Sequence, residues 1–372
     1  MIEPLKGCSR CEKLPAAGEG AGNLYLWLPT PHTLAKVKRR LGQAGRPHRY
    51  LAASRSLRVP VEAGESAEVA ALLAGDLGEQ ENEDTRVLLL EGERRPGLAD
   101  YSRVVSLARF LAARQADWVL DLLRERRLTS LFQPIVEAAD PGSVFAYEAL
   151  LRGVAEDGRL IGPDRLFAAA HDRDLLFQLD LAGRQTAIRE IVRHGTGSRV
   201  FVNFTPTSIY DPAFCLRSTV ALIRETGLSP DRVVFEVIES EQVRDLGHLE
   251  AILNVYRNYG FQVALDDLGA GYSSLNLMSR LRPDFVKLDR ELIRGVDEDP
   301  YKAVIAEKLL ELARQLGIRT VAEGVETDGE LDWVRRHGAD YAQGYRIAAP
   351  ASPPPLPAAA VHRETATAGG VF

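Results

Sequence analysis

Residues 261–288 read Phe261-Gln-Val-Ala-Leu-Asp-Asp-Leu-Gly-Ala-Gly-Tyr-Ser-Ser-Leu-Asn-Leu-Met-Ser-Arg-Leu-Arg-Pro-Asp-Phe-Val-Lys-Leu288. The apolar run Phe261–Leu265 stops at Asp266 and Asp267. Ser274–Leu281 then has helical spacing, and a second apolar run, Phe285–Leu288, carries Lys287. This is a strand–helix–strand unit, and it recurs in both directions along the chain. The strand-like runs before it are Leu131–Val136, Val144–Leu151, Val200–Phe204 and Val233–Ile238; those after it are Thr320–Ala322 and Tyr341–Ile347. Phe214–Glu225, Leu246–Tyr259, Lys302–Leu316 and Leu331–His337 fill the later gaps as helices. Such alternation implies a largely parallel sheet, and about eight units predict an α/β fold of the closed, modified (βα)8 TIM type. An open doubly wound sheet is the competitor, but no Gly-rich phosphate loop follows the first strand.

Upstream the pattern differs. Residues 1–22, Gly-rich and polar, read as a flexible leader, and residues 23–100 as a small α+β domain of the split-βαβ kind. Its expected strands are Leu24–Leu28, Tyr50–Ala53, Leu57–Val61 and Arg86–Glu91; its helices are Leu34–Leu41 and Ala67–Leu77, with the acidic segment Gly78–Asp84 as a loop. Residues 101–128 show helical spacing from Val104 to Leu123 and are predicted to form one connector helix. The barrel then spans 129–350, and the Pro- and Ala-rich residues 351–372 read as a disordered tail.

Composition narrows the classes. The 372 residues are 45% hydrophobic and 26% charged, ordinary globular values that exclude collagen-like and disordered chains. No apolar run approaches the ~18 residues needed to cross a bilayer. Met1-Ile-Glu-Pro4 lacks the features of a signal peptide, and three cysteines make a poor disulfide framework. A soluble, cytoplasmic protein is expected, with neither DNA binding nor membrane insertion. Residues 1–50 carry a net charge of +6 and residues 51–100 a net −6. Lys36, Lys38, Arg39 and Arg40 lack interleaved aromatics, so a solvated helix face is favoured over a nucleic-acid surface.

The chemistry lies where polar residues interrupt the apolar strands. Glu148, Asn203, Glu236, Asp266 with Asp267, Lys287, Glu323 and Gln343 each follow two or more residues of such a run. From Asn203 onward they recur every 20 to 36 residues, one strand–helix unit apart, so in a barrel they converge at the C-terminal rim. Five carboxylates there would repel, and a buried charge costs several kcal/mol unless paired or bound to metal. One lysine cannot neutralise five. An all-oxygen donor set without Cys or His suits hard ions, Mg²⁺ or Mn²⁺. The adjacent Asp266 and Asp267 suit a bridge between two ions, the standard clamp for in-line attack on a phosphodiester.

These residues stand within recognisable motifs. Phe132-Gln133-Pro134-Ile135-Val136 precedes Glu148-Ala149-Leu150-Leu151-Arg152; then come Val202-Asn203, Phe235-Glu236-Val237-Ile238-Glu239 and Asp266 to Leu275. Pro283 to Asp289, Ala322-Glu323-Gly324-Val325-Glu326 and Gln343-Gly344-Tyr345 complete the series. In order and spacing, residues 129–350 resemble the EAL domain, the cyclic di-GMP phosphodiesterase family. The resemblance implies hydrolysis of cyclic di-GMP to linear pGpG with two divalent cations. It implies that Glu148, Asn203, Glu236 and Asp266 hold one ion and that Asp266, Asp267 and Glu323 hold the other. Lys287, its pKa lowered near the cations, would orient and help deprotonate the water; Gln343 would position the site; Gln133 and Arg152 would contact the dinucleotide. Glu239 would stabilise the 266–275 loop, through which the family couples homodimerisation to activity.

Two segments depart from the family. Asp-Asp-Leu-Gly-Ala-Gly stands for the common Asp-Asp-Phe-Gly-Thr-Gly, and Arg346-Ile347-Ala348-Ala349 replaces an aromatic-containing segment. They motivate two alternatives: a catalytically silent cyclic di-GMP receptor, or a protein-interaction module in which the barrel is a dimerisation scaffold. The N-terminal domain would take an input or partner that the sequence does not name. Cys8 and Cys11 have metal-knuckle spacing, with His32 and His48 as distant completing ligands and two unpaired reduced thiols as the alternative; Cys215 reads as a packed residue.

Overall fold

The computed structural model describes residues 13–14, 20–238, 246–269 and 274–357. They form two compact units, one of residues 14–125 with 164–176, the other built on 126–163 and the chain from Phe177 onward. Among the described residues no helix is long and apolar enough to cross a membrane.

The first unit runs β1 (Gly22–Trp27), α1 (Pro31–Gln43), β2 (Arg49–Leu51), β3 (Ser56–Val61), α2 (Ser66–Ala74), α3 (Glu79–Asp84), β4 (Arg86–Glu91), a 3₁₀ turn (Leu98–Arg103), β5 (Val105–Ser106), α4 (Leu107–Gln115) and α5 (Asp117–Arg124). The antiparallel sheet has the order β2-β3-β1-β4-β5. Alternation sorts its faces: Leu24, Leu26 and Val87 join Val37, Leu41, Val69 and Leu73 in one core, while Tyr25, Leu88 and Leu90 pack on the other side. Helix α1 starts where Thr30 accepts a hydrogen bond from the Thr33 amide and Pro31 stands at the first position. Its basic residues meet neighbours of the same unit. Lys36 binds Glu81 at 2.8 Å and Lys38 lies over the Tyr50 ring.

Four boundaries differ from expectation. Gly78–Asp84 contains a helix because Glu81 turns back to accept the Gly78 amide and acidic residues favour a helix N-terminus. Residues 101–128 are not one helix. Ser106 caps the Arg109 amide, Leu107 and Phe110 of α4 are buried in the first unit's core, and the chain breaks at Ala116 before α5. Strand β1 already includes Gly22, the last residue assigned to the leader. The expected tail is anchored at its start: Phe132 and Ala351 exchange backbone hydrogen bonds, and the Pro355 carbonyl accepts from Tyr147.

α6 (Pro163–Asp172) packs with the first unit, where Arg173 beyond its end meets Asp117. The second unit is a barrel. Its elements are β6 (Leu128–Glu137), β7 (Val144–Val154), β8 (Leu160–Ile161), α7 (Leu176–His194), β9 (Arg199–Asn203), α8 (Pro212–Cys215), α9 (Arg217–Thr226), β10 (Val233–Ile238), α10 (Leu246–Asn258) and β11 (Gln262–Leu268). There follow α11 (Ser274–Leu281), β12 (Phe285–Leu288), α12 (Arg290–Ile293), α13 (Pro300–Gln315), β13 (Arg319–Ala322), α14 (Asp328–Arg336) and β14 (Tyr341–Ala342). Eight strands close in the order β6-β7-β9-β10-β11-β12-β13-β14, and β8 extends β7 as a hairpin. Around the closed barrel all neighbours are parallel except β6, which runs antiparallel to both β7 and β14. This is the expected modified (βα)8 barrel. Inside, Ile135, Ala146, Phe201, Val234, Ala264, Phe285, Val321 and Tyr341 form one packed layer, one side chain from each strand.

Candidate active site

The next inward-facing layer is polar. Strand side chains alternate, so the residue two positions on from each member of the apolar layer faces the interior again. Those positions are Glu148, Asn203, Glu236, Asp266, Lys287, Glu323 and Gln343, and, on the reversed strand β6, Gln133. One rule thus places eight of the predicted site residues on one rim. Asp267 breaks that rule, because a regular strand would point it away. Pairing between β11 and β12 slips here, from Leu265 opposite Val286 to Leu268 opposite Leu288, and Asp267 adopts a φ of 58°. This bulge brings carboxylate oxygens of Asp266, Asp267 and Glu323 within 4.8 Å of one another.

Lys287, 1% exposed, sits at the centre. Its Nζ lies 2.6 Å from Glu323 Oε1, 2.9 Å from Glu236 Oε1, 3.2 Å from Asp266 Oδ1 and 3.4 Å from Glu148 Oε2. Burial pulls the lysine pKa down, but the four carboxylates outweigh it and hold the group well above its ordinary value. Burial drives Glu236 and Glu323 well above the usual carboxylate range, with Lys287 offsetting only part. Burial also raises Asp266, and it pushes Asp267 up to about 6 with help from the Asp266 and Asp289 charges. For Glu148 burial is outweighed by Lys287 and by hydrogen bonds from Gln343 and Asn203, so its carboxyl lies below the ordinary value.

The donor set fits a cation. Glu236 is wholly buried; Oε1 faces Lys287, and Oε2 has no hydrogen-bond partner among the described residues. Asn203 Nδ2 donates to Glu148 Oε1 at 3.2 Å, leaving its carbonyl oxygen as a neutral donor atom for a hard ion. Glu148, Asn203, Glu236 and Asp266, and separately Asp266, Asp267 and Glu323, are the groups that could hold metal.

Gln343 Nε2 donates to Glu148 Oε2 at 2.7 Å and to Gln133 Oε1 at 3.0 Å, while Gln133 Nε2 donates to the Ala348 carbonyl. Gln133 thus belongs to the network that sets Glu148. Arg152 lies further along β7, half-buried, with Nη1 donating to the Leu151 carbonyl. Glu239 lies outside the described residues, as do Cys8 and Cys11. Cys215 is buried, consistent with a packing role. Sequence reading missed Asp289, whose charge bears on Asp267, although its position two residues after Lys287 was a visible signal.

The fold and site together define a modified (βα)8 barrel domain with one reversed strand and a carboxylate–lysine rim. The EAL domain family model matches residues 116–350, and the chain belongs to that family. Cyclic di-GMP phosphodiesterase NbdA of Pseudomonas aeruginosa is 31% identical over 232 residues, covering 61% of this chain and 29% of that protein. The chain spans less than half the length of the curated relatives it first matches. A standalone EAL protein from Vibrio cholerae, solved with cyclic di-GMP bound, is 34% identical with a TM-score of 0.55, over 60% of this chain and 92% of that one. Klebsiella pneumoniae BlrP1, in a complex with manganese and the dinucleotide, shares the fold over 89% of this chain and 96% of its own at 23% identity and a TM-score of 0.55.

Proposed function

We propose that the barrel hydrolyses cyclic di-GMP to linear pGpG with two divalent cations, Mg²⁺ or Mn²⁺. The observation that carries this reading is the bulge that gathers Asp266, Asp267 and Glu323 beside the Lys287 cluster. Glu148, Asn203, Glu236 and Asp266 would hold one ion, and Asp266, Asp267 and Glu323 the other. Ions held by these residues would supply polarisation of a phosphate oxygen and acidification of water. Lys287, set among these carboxylates, would orient the attacking water and help take its proton, a role suited to a lysine beside cations. Gln343 fixes Glu148, and Gln133 supports Gln343. Arg152 pairs with a phosphate as a charge-assisted fork. Glu239 steadies the loop after β11. The named relatives that act on or bind cyclic di-GMP support the choice of substrate.

A homodimer through the barrel belongs to the same proposal. Helix α13 leaves Tyr301, Val304 and Ile305 more than half exposed on adjacent turns, an apolar face suited to a second copy. The input received by the N-terminal unit is a further part of this reading, with the chain acting at the cytoplasmic side of the cell. The deciding experiment incubates the purified chain with cyclic di-GMP and Mg²⁺ or Mn²⁺ and follows products by chromatography. Metal-dependent pGpG, abolished by EDTA, is expected. Intact dinucleotide that nevertheless binds would turn the reading to a silent receptor.

A further inference from the structure

A second buried ion pair stands behind the rim. Asp180 and Arg184, one turn apart on α7, are 4% and 2% exposed. Asp180 Oδ2 accepts from Arg184 Nε at 3.0 Å and from Nη2 at 2.8 Å, while Arg184 Nη1 donates to Thr219 Oγ1 at 3.0 Å. Asp180 Oδ1 accepts the Thr205 amide at 2.8 Å, two residues beyond Asn203. Between them, the Phe204 amide donates to the carbonyl of Glu236 at 3.2 Å. Phe204 also packs edge-on against Phe235 and Tyr256, which are themselves stacked at 3.9 Å. The two backbone amides after Asn203 are therefore tied, one to α7 and one to the strand that carries Glu236.

Buried ion pairs are a poor source of stability, since apolar replacements of similar volume are often as stable. Their directional bonds instead fix position. We infer that Asp180 and Arg184 are positioning residues that set Asn203, with Glu236, for the ion held by Glu148, Asn203, Glu236 and Asp266. Asn203 and Glu236 are not ligands of the second ion in that reading, so its affinity is expected to hold. This inference rests on the two-ion reading above.

The test is Mn²⁺ titration of the full chain by calorimetry, with thermal unfolding alongside. Wild type is expected to bind two ions. Asp180→Leu with Arg184→Met keeps an apolar, charge-free interior and is expected to weaken one ion by about 10–100-fold, the range for supporting groups, leaving the other unchanged. Asp180→Asn with Arg184→Gln retains an acceptor for Thr205 and is expected to restore most of that affinity. Thr205→Pro deletes the amide donor while keeping the ion pair, and serves if the apolar pair does not fold; it too is expected to weaken one ion. Wild-type affinities in Thr205→Pro and in the apolar pair would overturn the inference, as would equal weakening of both ions alongside a loss of melting temperature. A wild type that binds no Mn²⁺ would instead remove the two-ion reading itself, and this inference with it.

Discussion

Asp267, at a φ of 58°, brings its carboxylate within 4.8 Å of that of Asp266, its neighbour in the chain. Consecutive strand residues ordinarily face opposite sides, so the bulge is what makes a paired aspartate usable here.

Asn tolerates a left-handed backbone, whereas a β-branched residue does not. Asp267→Asn is therefore expected to keep the wild-type melting temperature while losing at least about 100-fold in turnover, larger than the effect of a supporting group alone. Asp267→Val adds strain of about 1–3 kcal/mol and is expected to melt several degrees lower. Calorimetry and product chromatography on the two variants separate charge from conformation; equal melting of both would count against the bulge.

Lys287 balances four carboxylates. Lys287→Met leaves them buried without their cation, a loss of about 3–5 kcal/mol in EDTA, or roughly 6–20 °C. Added Mn²⁺ should recover more melting temperature in this variant than in wild type, and turnover should remain abolished. An unchanged melting temperature in EDTA would show that the cluster does not depend on the ammonium.

Gln343 is held by its neighbour as well as by its bonds. A Cβ on Gly344 would meet the Val325 backbone nitrogen at 2.3 Å and oxygen at 2.1 Å, where nothing can yield without moving the chain. Gly344→Ala should displace Gln343 from Glu148 and lower turnover by about 10–100-fold, as Gln343→Ala should, with an added stability loss of about 1–3 kcal/mol. Kinetics that distinguish neither variant from wild type would sink this role for Gln343.

In the N-terminal unit, Glu81 is held down to about 2 by Lys36, the Gly78 amide and the Thr33 hydroxyl, against an ordinary 4.5. A depressed carboxyl stabilises the fold above its unfolded pKa, and that contribution fades as pH falls from about 4.5 toward 2. Glu81→Gln should thus melt below wild type at pH 7, and the two curves should converge near pH 2 to 3. A constant gap across that range would assign the effect to packing instead.

The barrel was legible in the sequence because its strands are short apolar runs, each ended by one polar residue at the same point of the strand–helix repeat. Period-two alternation then carries Glu148, Asn203, Glu236, Lys287, Glu323 and Gln343 to one layer without further information. The long connector was misread because helical spacing in residues 104–123 records burial, not continuity: Leu107 and Phe110 are buried in the first unit's core, and the chain breaks at Ala116. Three matters needed the tertiary structure. The slip that turns Asp267 inward is a mismatch between two strands, invisible in either alone. The ion-pair cluster depends on four carboxylates, from β7, β10, β11 and the end of β13, meeting one lysine nitrogen. The support of the Asn203 segment by Asp180 joins a helix to a loop 25 residues away, and only folding supplies that proximity. The amino-acid order determined which groups reach the rim; through-space distance and burial decided their charge, their partners and their aim.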